Sequence, residues 1–390
     1  MTHPPNERLR IAYLCDQDPG NTSLYSGGNS RILAALQDHV GDVHVLSQGW
    51  HMAEPIRRLV EALPDKITIR ARWRLHLMLS RLIARGVNAQ LAAGQFDVLF
   101  GAYSFHALRH VSPPAGTITA YTSDATPTTY RDSEIGASFG SYLSLSRGLD
   151  PWIKRQETQV FQNTDLLLWP TDWLRDAANR AYGLDGAKAV TIPWGANIPD
   201  PGEPDKPISL RRDAPIQLLV LGRDWFAKGG PTAFDAMQIL RGEGVDARLT
   251  VIGTTPPDFH MSEHVTVHPY LDKSNTAQFE TFQSTLRNAH FMVMPSYESY
   301  GFAFCEASAY GLPSLCLRVG GVPVRDGING HALPISASPQ DFAQVIRRYL
   351  KRPETYNALR QSSRREYKDH LNWNAWGKAV AAKLHTQMDQ

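Results

Sequence analysis

Short apolar runs alternate with longer amphipathic segments along most of this 390-residue chain. That alternation is typical of β-strands joined by crossover helices in a parallel sheet, which is the α/β class. The predicted strands of the first half cover 9–15, 43–47, 97–101, 117–121, 166–169 and 189–193. The series then restarts, with predicted strands at 216–222, 247–252, 290–294 and 314–317 and helical stretches such as 231–242. A series that restarts predicts two domains, each with its own parallel sheet.

Five prolines lie between residues 193 and 207, and such a stretch holds neither a helix nor a central strand. We therefore predict an N-terminal Rossmann-like domain at 1–196, a linker at 197–207 and a C-terminal Rossmann-like domain at 208–368. Residues 369–390 are predicted to form a helix that packs back on the N-terminal domain. Its apolar anchors are Trp373, Trp376 and Leu384. Because doubly wound sheets bind ligands at the carboxyl ends of their strands, we expect the two domains to face each other across a cleft.

Charge and cysteine content exclude several classes of protein. Lys and Arg number 40 against 38 Asp and Glu, so no global field marks a nucleic-acid binder. Cys15, Cys305 and Cys316 form neither a disulfide framework nor a zinc-site spacing, and they fit a reducing compartment. No apolar run approaches the length that spans a bilayer, and the first residues lack a signal-peptide pattern. These features predict a cytoplasmic protein.

The most informative motif is PSYESYGFAFCEASAYGLP, which follows a predicted strand. Glu298 is expected on the loop after that strand, and Glu306 about one and a half turns into the next helix. A carboxylate accepts two hydroxyl hydrogen bonds, so this pair suits a polyhydroxylated ligand. Backbone N–H groups near Tyr300, Gly301 and Phe302 would bind a phosphate at the helix start. The alternative is that Glu306 is a solvated helix residue and Glu298 a charge that complements the helix dipole.

A second motif, VLGRDWFAKGG, ends the first predicted strand of the second half. Arg223 and Lys228 are two cations of the kind that a diphosphate leaving group needs, and the flanking glycines let the backbone approach it closely. The alternative is that both are solvated surface charges.

A third motif, YSGGNSR, lies between the first predicted strand and its helix. Gly27 and Gly28 would let the backbone close on a ligand whose negative charge the helix dipole favours. A plain turn explains the motif equally well. The pattern is not the G-x-G-x-x-G fingerprint, which disfavours an NAD-dependent enzyme.

Together these motifs resemble the retaining GT-B glycosyltransferases of family 4 (glycosyl transferases group 1). The E-x7-E signature in YESYGFAFCE, the GRDWFAKGG loop, the YSGGN loop, the linker TIPWGANIP and the run from GG-x-P to DGINGHALP occur in the family's order. The resemblance covers nearly the whole chain. It implies a GT-B fold and transfer of a sugar from a nucleotide-diphosphate sugar to an acceptor hydroxyl, with retention of anomeric configuration. The acceptor would be a glycan, a lipid or a small molecule, bound on the side of the N-terminal domain.

The resemblance also implies roles for single residues. Arg223 and Lys228 would hold the donor diphosphate. Glu298 would bind hydroxyls of the transferred sugar, and Glu306 would bind the ribose of the nucleotide. Gly28 would approach the phosphate or the sugar from the N-terminal domain. The candidate donor site comprises Gly27, Gly28, Arg223, Lys228, Glu298, Tyr300, Gly301, Phe302 and Glu306.

Two departures from the family pattern leave contacts open. Many members place a His, which contacts the donor sugar, where this chain reads AYTSDATPTTY, as in a subgroup with a Ser-Asp-Ala-Thr run. Asp124 in that run would orient the acceptor hydroxyl or contact the sugar, so it joins Glu298, Lys228 and Arg223 as a candidate catalytic residue. The alternative is that Asp124 caps a turn. The second departure is Val324, which stands after GG-x-P where the family often has Glu, in a shortened loop.

No strong nucleophile and no DxD-like metal motif stand in a suitable place, which predicts catalysis without a tightly bound metal or cofactor. The resemblance implies that the nucleotide-diphosphate sugar is a substrate whose departing diphosphate helps to deprotonate the acceptor. Other functions stay open because a fold does not fix a reaction. They are a nucleotide-sugar epimerase, a glycan phosphorylase with pyridoxal phosphate, and a catalytically silent nucleotide-sugar-binding partner of another transferase.

A basic amphipathic segment is the last candidate feature. Its cations outnumber the acids Glu61 and Asp65, and Trp73, Leu77, Leu82 and Ile83 lie between them. A basic helix with a Trp can lie in a lipid headgroup layer, so 70–86 predicts a peripheral contact with the inner membrane face. The alternative is that the helix packs its apolar face on its own domain. The basic residues are Arg57, Arg58, Lys66, Arg70, Arg72, Arg74, Arg81 and Arg85.

Overall fold

The computed structural model describes residues 8–22, 24–47, 49–62, 65–138, 148–203, 210–211 and 213–389, with the side chains of 65–70 excepted. The chain divides into two compact units. Unit 1 contains Met1–Trp194 and Trp373–Gln390, and unit 2 contains Gly195–Asn372.

Unit 1 is built on a six-stranded parallel sheet with the strand order β2-β1-β3-β4-β5-β6. Its strands are β1 (Leu9–Leu14), β2 (Gly41–Val45), β3 (Val98–Ala102), β4 (Ile118–Thr122), β5 (Leu166–Trp169) and β6 (Ala189–Thr191). Its helices before the second unit are α1 (Gly28–His39), α2 (Glu54–Glu61), α3 (Asp65–Ala93), α4 (Phe105–Leu108), α5 (Pro127–Arg131), α6 (Glu134–Ser138), α7 (Asp150–Asn163) and α8 (Asp172–Tyr182).

Unit 2 contains a second six-stranded parallel sheet, with the order β12-β11-β10-β7-β8-β9. The strands are β7 (Ile216–Leu221), β8 (Ala247–Ile252), β9 (Val265–His268), β10 (Phe291–Met294), β11 (Ser314–Leu317) and β12 (Gly330–Leu333). The helices are α9 (Gly230–Gly242), α10 (Thr276–Asn288), α11 (Phe302–Ala309), α12 (Pro339–Leu350) and α13 (Pro353–Asp369), and α14 (Trp373–Met388) returns to unit 1.

The predicted α/β class with two doubly wound sheets is confirmed, and every predicted strand is present with its ends within two residues of the prediction. Central strands such as β3 and β10 are buried at every position, because helices cover both faces of a parallel sheet, and they therefore appear in the sequence as unbroken apolar runs. Strands β9 and β12 were not predicted. Both are four-residue edge strands with polar positions, so they lack such a run.

Each sheet has one point where the strand order reverses. In unit 1 it lies between β1 and β3, and in unit 2 between β7 and β10. Connections from the two strands at such a point leave toward opposite faces, which opens a crevice at their carboxyl ends. The loops after β1, β3, β7 and β10 are therefore where each unit can bind a ligand.

The stretch predicted as a linker at 197–207 lies within unit 2 as far as the structure describes it, which is up to residue 203. The Ala196 N–H donates to the Leu371 carbonyl oxygen at 3.0 Å, and Arg364 donates to Asp200 at 2.6 Å. Lys368 pairs with Glu203. The division between units thus falls after Trp194 and after Asn372, whereas the sequence predicted 196 and 368. Residues 204–207 lie outside the described residues.

Helix α14 packs on α1 of unit 1. Trp376 is fully buried and meets the Phe100 ring edge-on at 6.3 Å, and Leu384 is fully buried as well. Trp373 stacks near Trp194, with 6.3 Å between ring centroids. This aromatic cluster therefore lies where the chain leaves unit 1 and where it returns.

We expect Trp376→Ala to lower the free energy of unfolding of unit 1 by about 3–5 kcal/mol, because it removes a fully buried indole and leaves a cavity. Chemical denaturation followed by circular dichroism measures this loss. The exposed Lys378 on the same helix supplies the control, since Lys378→Ala should leave stability within about 0.5 kcal/mol of the parent. Equal effects of the two substitutions would contradict the packing of α14.

Candidate functional site

The loop after β7 carries Lys228 and ends at Gly229, which has a left-handed φ of 72° and precedes α9. A Cβ on Gly229 would come within 2.5 Å of the Pro295 carbonyl oxygen. The loops after β7 and β10 therefore touch through a position that only glycine can fill without displacing backbone. This contact fixes the two loops of the unit 2 crevice against each other.

The loop after β10 carries Glu298 and ends at Gly301, whose φ of 91° again lies in the left-handed region. Helix α11 starts at the next residue, Phe302, so its N-terminus opens at this loop. The Tyr300 ring is buried, and its hydroxyl lies 3.6 Å from the Cys305 sulfur. Tyr300 therefore anchors the loop through its side chain.

Lys228 and Glu298 form an ion pair, in which the Lys228 Nζ donates to the Glu298 Oε1. The Lys228 side chain is 28% exposed and the Glu298 side chain 17% exposed. The pair is therefore reachable from solvent yet partly shielded, so its charges act more strongly than those on an open surface. The structure brings together the cation predicted for a diphosphate and the acid predicted for sugar hydroxyls.

Glu306 lies in the second turn of α11 with its side chain only 6% exposed. The interpretation of Glu306 as a solvated helix residue is therefore wrong. Its Oε1 accepts a hydrogen bond from the Lys273 Nζ at 2.7 Å, and the same ammonium lies 4.5 Å from the centre of the Phe282 ring. The sequence did not predict Lys273 as a site residue, because it stands 33 positions from Glu306 and in no recognisable motif.

Arg223, the other cation of the loop after β7, is exposed. This placement fits both a diphosphate ligand and a solvated surface charge, so its role stays a prediction.

In unit 1 the YSGGN loop forms a tight turn before α1. Tyr25, Ser26 and Gly27 all have left-handed φ values of 50°, 53° and 81°, which costs energy at the two non-glycine positions. The Tyr25 ring stacks on Tyr103 with a centroid distance of 4.2 Å, which ties the loop to the end of β3. Gly28 is buried at the first position of α1. The turn is thus held at the reversal point of the unit 1 sheet.

Asp124 is half-buried on the loop after β4. Burial is the main cause that raises the pKa of the Tyr103 phenol, and the nearby Asp124 carboxylate adds to it. The cap of α5 is Thr126, whose hydroxyl accepts a hydrogen bond from the Thr129 N–H at 3.2 Å. The helix that follows the Ser-Asp-Ala-Thr run is therefore capped by its Thr, which leaves Asp124 beside Tyr103.

Glu157 of α7 holds the start of α5 and was missed in the sequence. It is fully buried and accepts hydrogen bonds from the N–H and the hydroxyl of Thr128. Burial raises the pKa of the Glu157 carboxyl to about 7, although the hydrogen bonds from Thr128 act in the opposite direction. A buried carboxyl therefore supports the loop that carries Asp124.

A second buried network lies at the carboxyl ends of β1 and β3. One Asp16 carboxylate oxygen accepts from Ser104 at 2.6 Å, and the other lies 2.8 Å from the His106 Nε2. Arg72 donates to the Asp16 carbonyl oxygen. Burial opposes ionisation of Asp16, but His106, the hydrogen bond from Ser104 and His76 together outweigh burial and hold the pKa of Asp16 well below its usual range. These residues are far apart in sequence, so only the fold brings them together.

Asp16, His76 and His106 are the described residues whose ligand atoms could hold a metal ion, since those atoms lie within 4.8 Å of one another. Burial, with repulsion from His106, lowers the pKa of His76 to about 3, so His76 is a neutral imidazole. However, both Asp16 oxygens already accept hydrogen bonds, and the Arg72 guanidinium lies against the Asp16 backbone. The donor set therefore fits a closed hydrogen-bond network better than a divalent cation.

Comparison with known proteins supports the fold and the family of unit 2. Residues 215–352, which include all five charged residues of the unit 2 site, match the family model described as Glycosyl transferases group 1. This segment is a glycosyl transferases group 1 domain. Its range lies within unit 2, and it contains β7–β12 together with α9–α12.

A curated relative, the D-inositol 3-phosphate glycosyltransferase of Actinosynnema mirum, is 29% identical over 227 residues, which cover 52% of this chain and 53% of the relative. The chain spans about half the length of the curated relatives it matches. A solved glycosyltransferase from Rickettsia africae has a TM-score of 0.61 at 12% identity and covers 99% of both chains. WaaG, a glycosyltransferase involved in lipopolysaccharide biosynthesis, has a TM-score of 0.56 at 15% identity, covering 96% of this chain and 99% of WaaG. The two units therefore have the GT-B fold.

We expect Glu157→Gln to become more stable relative to the parent as the pH rises. The folded-state pKa of Glu157, about 7, lies above its usual value of 4.5. Between these pH values the carboxyl ionises in the unfolded parent and stays protonated in the folded one, so the parent loses stability as the pH rises. The glutamine cannot ionise, so the variant does not lose stability in this way. The measurement is the difference in Tm between variant and parent from pH 4.5 to pH 8. A difference that stays constant over this range would contradict the raised pKa.

Proposed function

We propose that this protein transfers a sugar from a nucleotide-diphosphate sugar to an acceptor hydroxyl with retention of anomeric configuration. The observation that carries the proposal is the contact between Lys228 and Glu298 at the reversal point of a sheet that matches a glycosyl transferases group 1 domain. A leaving diphosphate needs a cation, and the sugar attached to it needs a neighbouring hydrogen-bond acceptor. Lys228 would supply the cation and Glu298 the acceptor.

The donor would lie along the loops after β7 and β10. Lys228 and Arg223 would neutralise the diphosphate, and the N-terminus of α11 at Gly301 and Phe302 would add backbone N–H groups. Glu298 would accept hydrogen bonds from hydroxyls of the sugar, and Glu306 from the ribose. In this arrangement the donor would separate Lys228 from Glu298. Lys228 would then contact the diphosphate, and Glu298 would contact the sugar hydroxyls.

The reaction would break the bond between the anomeric carbon and the diphosphate oxygen, and the bonding electron pair would leave with the diphosphate. The acceptor oxygen would bond to the anomeric carbon on the same face, and its proton would pass to an oxygen of the departing diphosphate. Lys228 and Arg223 would stabilise the developing negative charge, which is where such catalysis gains most. This scheme needs no protein nucleophile, tightly bound metal or cofactor.

Unit 1 would supply the acceptor side, with a glycan, a lipid or a small molecule as acceptor. Gly27 and Gly28 would approach the donor phosphate or sugar, and Asp124 would orient the acceptor hydroxyl or contact the sugar. The Tyr25–Tyr103 stack and the half-buried Asp124 beside Tyr103 support this role, because they fix the candidate residues at one edge of the sheet. We place the reaction in the cytoplasm, with no role for nucleic acid.

We expect Lys228→Ala and Glu298→Ala each to cut turnover at least about tenfold, because each removes a group that contacts the proposed donor. The exposed Lys351 of the same unit supplies the control, since Lys351→Ala should retain parental turnover. Sugar transfer is measured with a panel of nucleotide sugars and acceptors, after thermal shift with nucleoside diphosphates has identified the base that stabilises the protein. Near-parental turnover in either site variant would overturn the assignment.

The same assays separate the remaining functions. Conversion of the donor without an acceptor would indicate an epimerase. Donor binding without transfer or hydrolysis across the acceptor panel would indicate a silent binding partner.

We also propose a peripheral contact of unit 1 with an anionic membrane. Among the described residues, no helix is both long and apolar enough to span a bilayer. The apolar side of the predicted segment 70–86 is buried in unit 1 through Leu77 and Ile83, so that side does not face lipid. The exposed apolar side chains nearby are Met52 and Leu59, at 73% and 71% exposure.

Exposed cations also lie on α3. Arg81 and Arg85 lie on the exposed side of α3 together with Met78. Arg109 and His110 stand near Arg81, whose positive charge adds to burial in lowering the pKa of Arg109. A set of cations that repel one another attracts anionic lipid headgroups. The membrane surface would therefore be the exposed side of α2 and α3.

We expect the protein to sediment with anionic vesicles at low salt and to remain in solution at high salt, because salt screens charges at a surface. Arg81→Glu/Arg85→Glu should weaken this binding about tenfold or more. The control is Lys351→Glu/Arg352→Glu, which makes the same charge change at exposed positions of unit 2. Absence of binding at low salt, or equal loss in both double variants, would contradict the membrane contact.

A further inference from the structure

Lys273 occupies an unusual position on the connection between β9 and α10. Its Nζ donates to the Glu306 Oε1 at 2.7 Å and lies 4.5 Å from the centre of the Phe282 ring. The ring is buried, so it offers a fixed face for the ammonium. Lys273 is therefore held in one place by an acid on α11 and an aromatic ring on α10.

The two charged groups differ in accessibility. The Glu306 side chain is 6% exposed and the Lys273 side chain 40% exposed. A ligand that reaches this point therefore meets the ammonium as well as the carboxylate. An ammonium has three N–H donors, of which the contact with Glu306 uses one. The carboxylate has a second oxygen that can accept, so the pair presents a donor and an acceptor side by side.

We propose that Lys273 and Glu306 together recognise the ribose diol of the donor nucleotide. One ribose hydroxyl would donate to Glu306, and the neighbouring hydroxyl would accept from Lys273. This inference rests on the proposed function, because Glu306 must face the nucleotide for the diol to reach it. Lys273 is then a specificity-determining residue that selects ribonucleotides over deoxyribonucleotides.

A different role for Lys273 gives the opposite result. If Lys273 only neutralised Glu306, the diol would have to displace the ammonium to bind the carboxylate. Removing the ammonium would then free the carboxylate and leave binding unchanged or make it tighter. In the proposed arrangement, removal takes away a charged hydrogen-bond donor and weakens binding.

The experiment measures Kd by titration calorimetry for UDP, GDP and ADP and for their 2′-deoxy counterparts, on the full chain. We expect the parent to bind its preferred ribonucleoside diphosphate about tenfold more tightly than the deoxy form, as for loss of one hydrogen bond to a charged group. Lys273→Met should lose about tenfold in affinity for the ribo form and most of this preference. Lys273→Arg keeps a donor and should retain both, and Lys351→Met is the exposed control.

Three outcomes are informative. Unchanged or tighter ribonucleotide binding by Lys273→Met, with the preference intact, would overturn the role of Lys273 and leave the proposed function standing. Absence of binding of any diphosphate by the parent would overturn both. If Lys273→Met lost its fold, as circular dichroism would show, the ratio between ribo and deoxy forms in the parent and in Lys273→Arg would still decide, because a ratio near one contradicts recognition of the diol.

Discussion

The pairing of β7 with β10 is the constraint on which the candidate site depends. Leu218 and Leu219 of β7 lie in register with Phe291 and Met292 of β10, although these segments are more than 70 positions apart in the chain. Because the strands are parallel, both end at the same edge of the sheet, and their loops meet there. The contact between Lys228 and Glu298 follows from this pairing, so a change that shifted the register would separate them.

The charges of this site are balanced in pairs. Glu298 faces Lys228, and Glu306 faces Lys273, so neither acid is buried without a cation. A buried carboxylate without a partner would cost several kcal/mol, so the cation beside the more buried Glu306 offsets a larger desolvation cost. Such pairing keeps the site stable without a ligand, and the partly exposed lysines leave the charges of each pair within reach of one.

Much of the fold could be predicted from the sequence, because the central strands are buried on both faces and the connecting helices are amphipathic. Strands β9 and β12 could not be predicted, since each is only four residues long and carries polar positions in place of an unbroken apolar run. Lys228, Glu298 and Glu306 could be found because each lies in a recognisable local motif. Lys273 could not, because it lies in none. Its proposed role depends on a contact with Glu306, 33 positions away.

The two reversal points are built on opposite electrostatic principles. In unit 2 the acids pair with lysines that remain partly exposed, so a ligand can reach these pairs from solvent. In unit 1 Asp16, Ser104 and His106 are buried and mutually hydrogen-bonded, so opening them would leave charged groups without partners. The first arrangement suits the binding of a charged substrate. The second suits a rigid base beneath the YSGGN loop, whose left-handed residues need a firm support to hold their strained backbone.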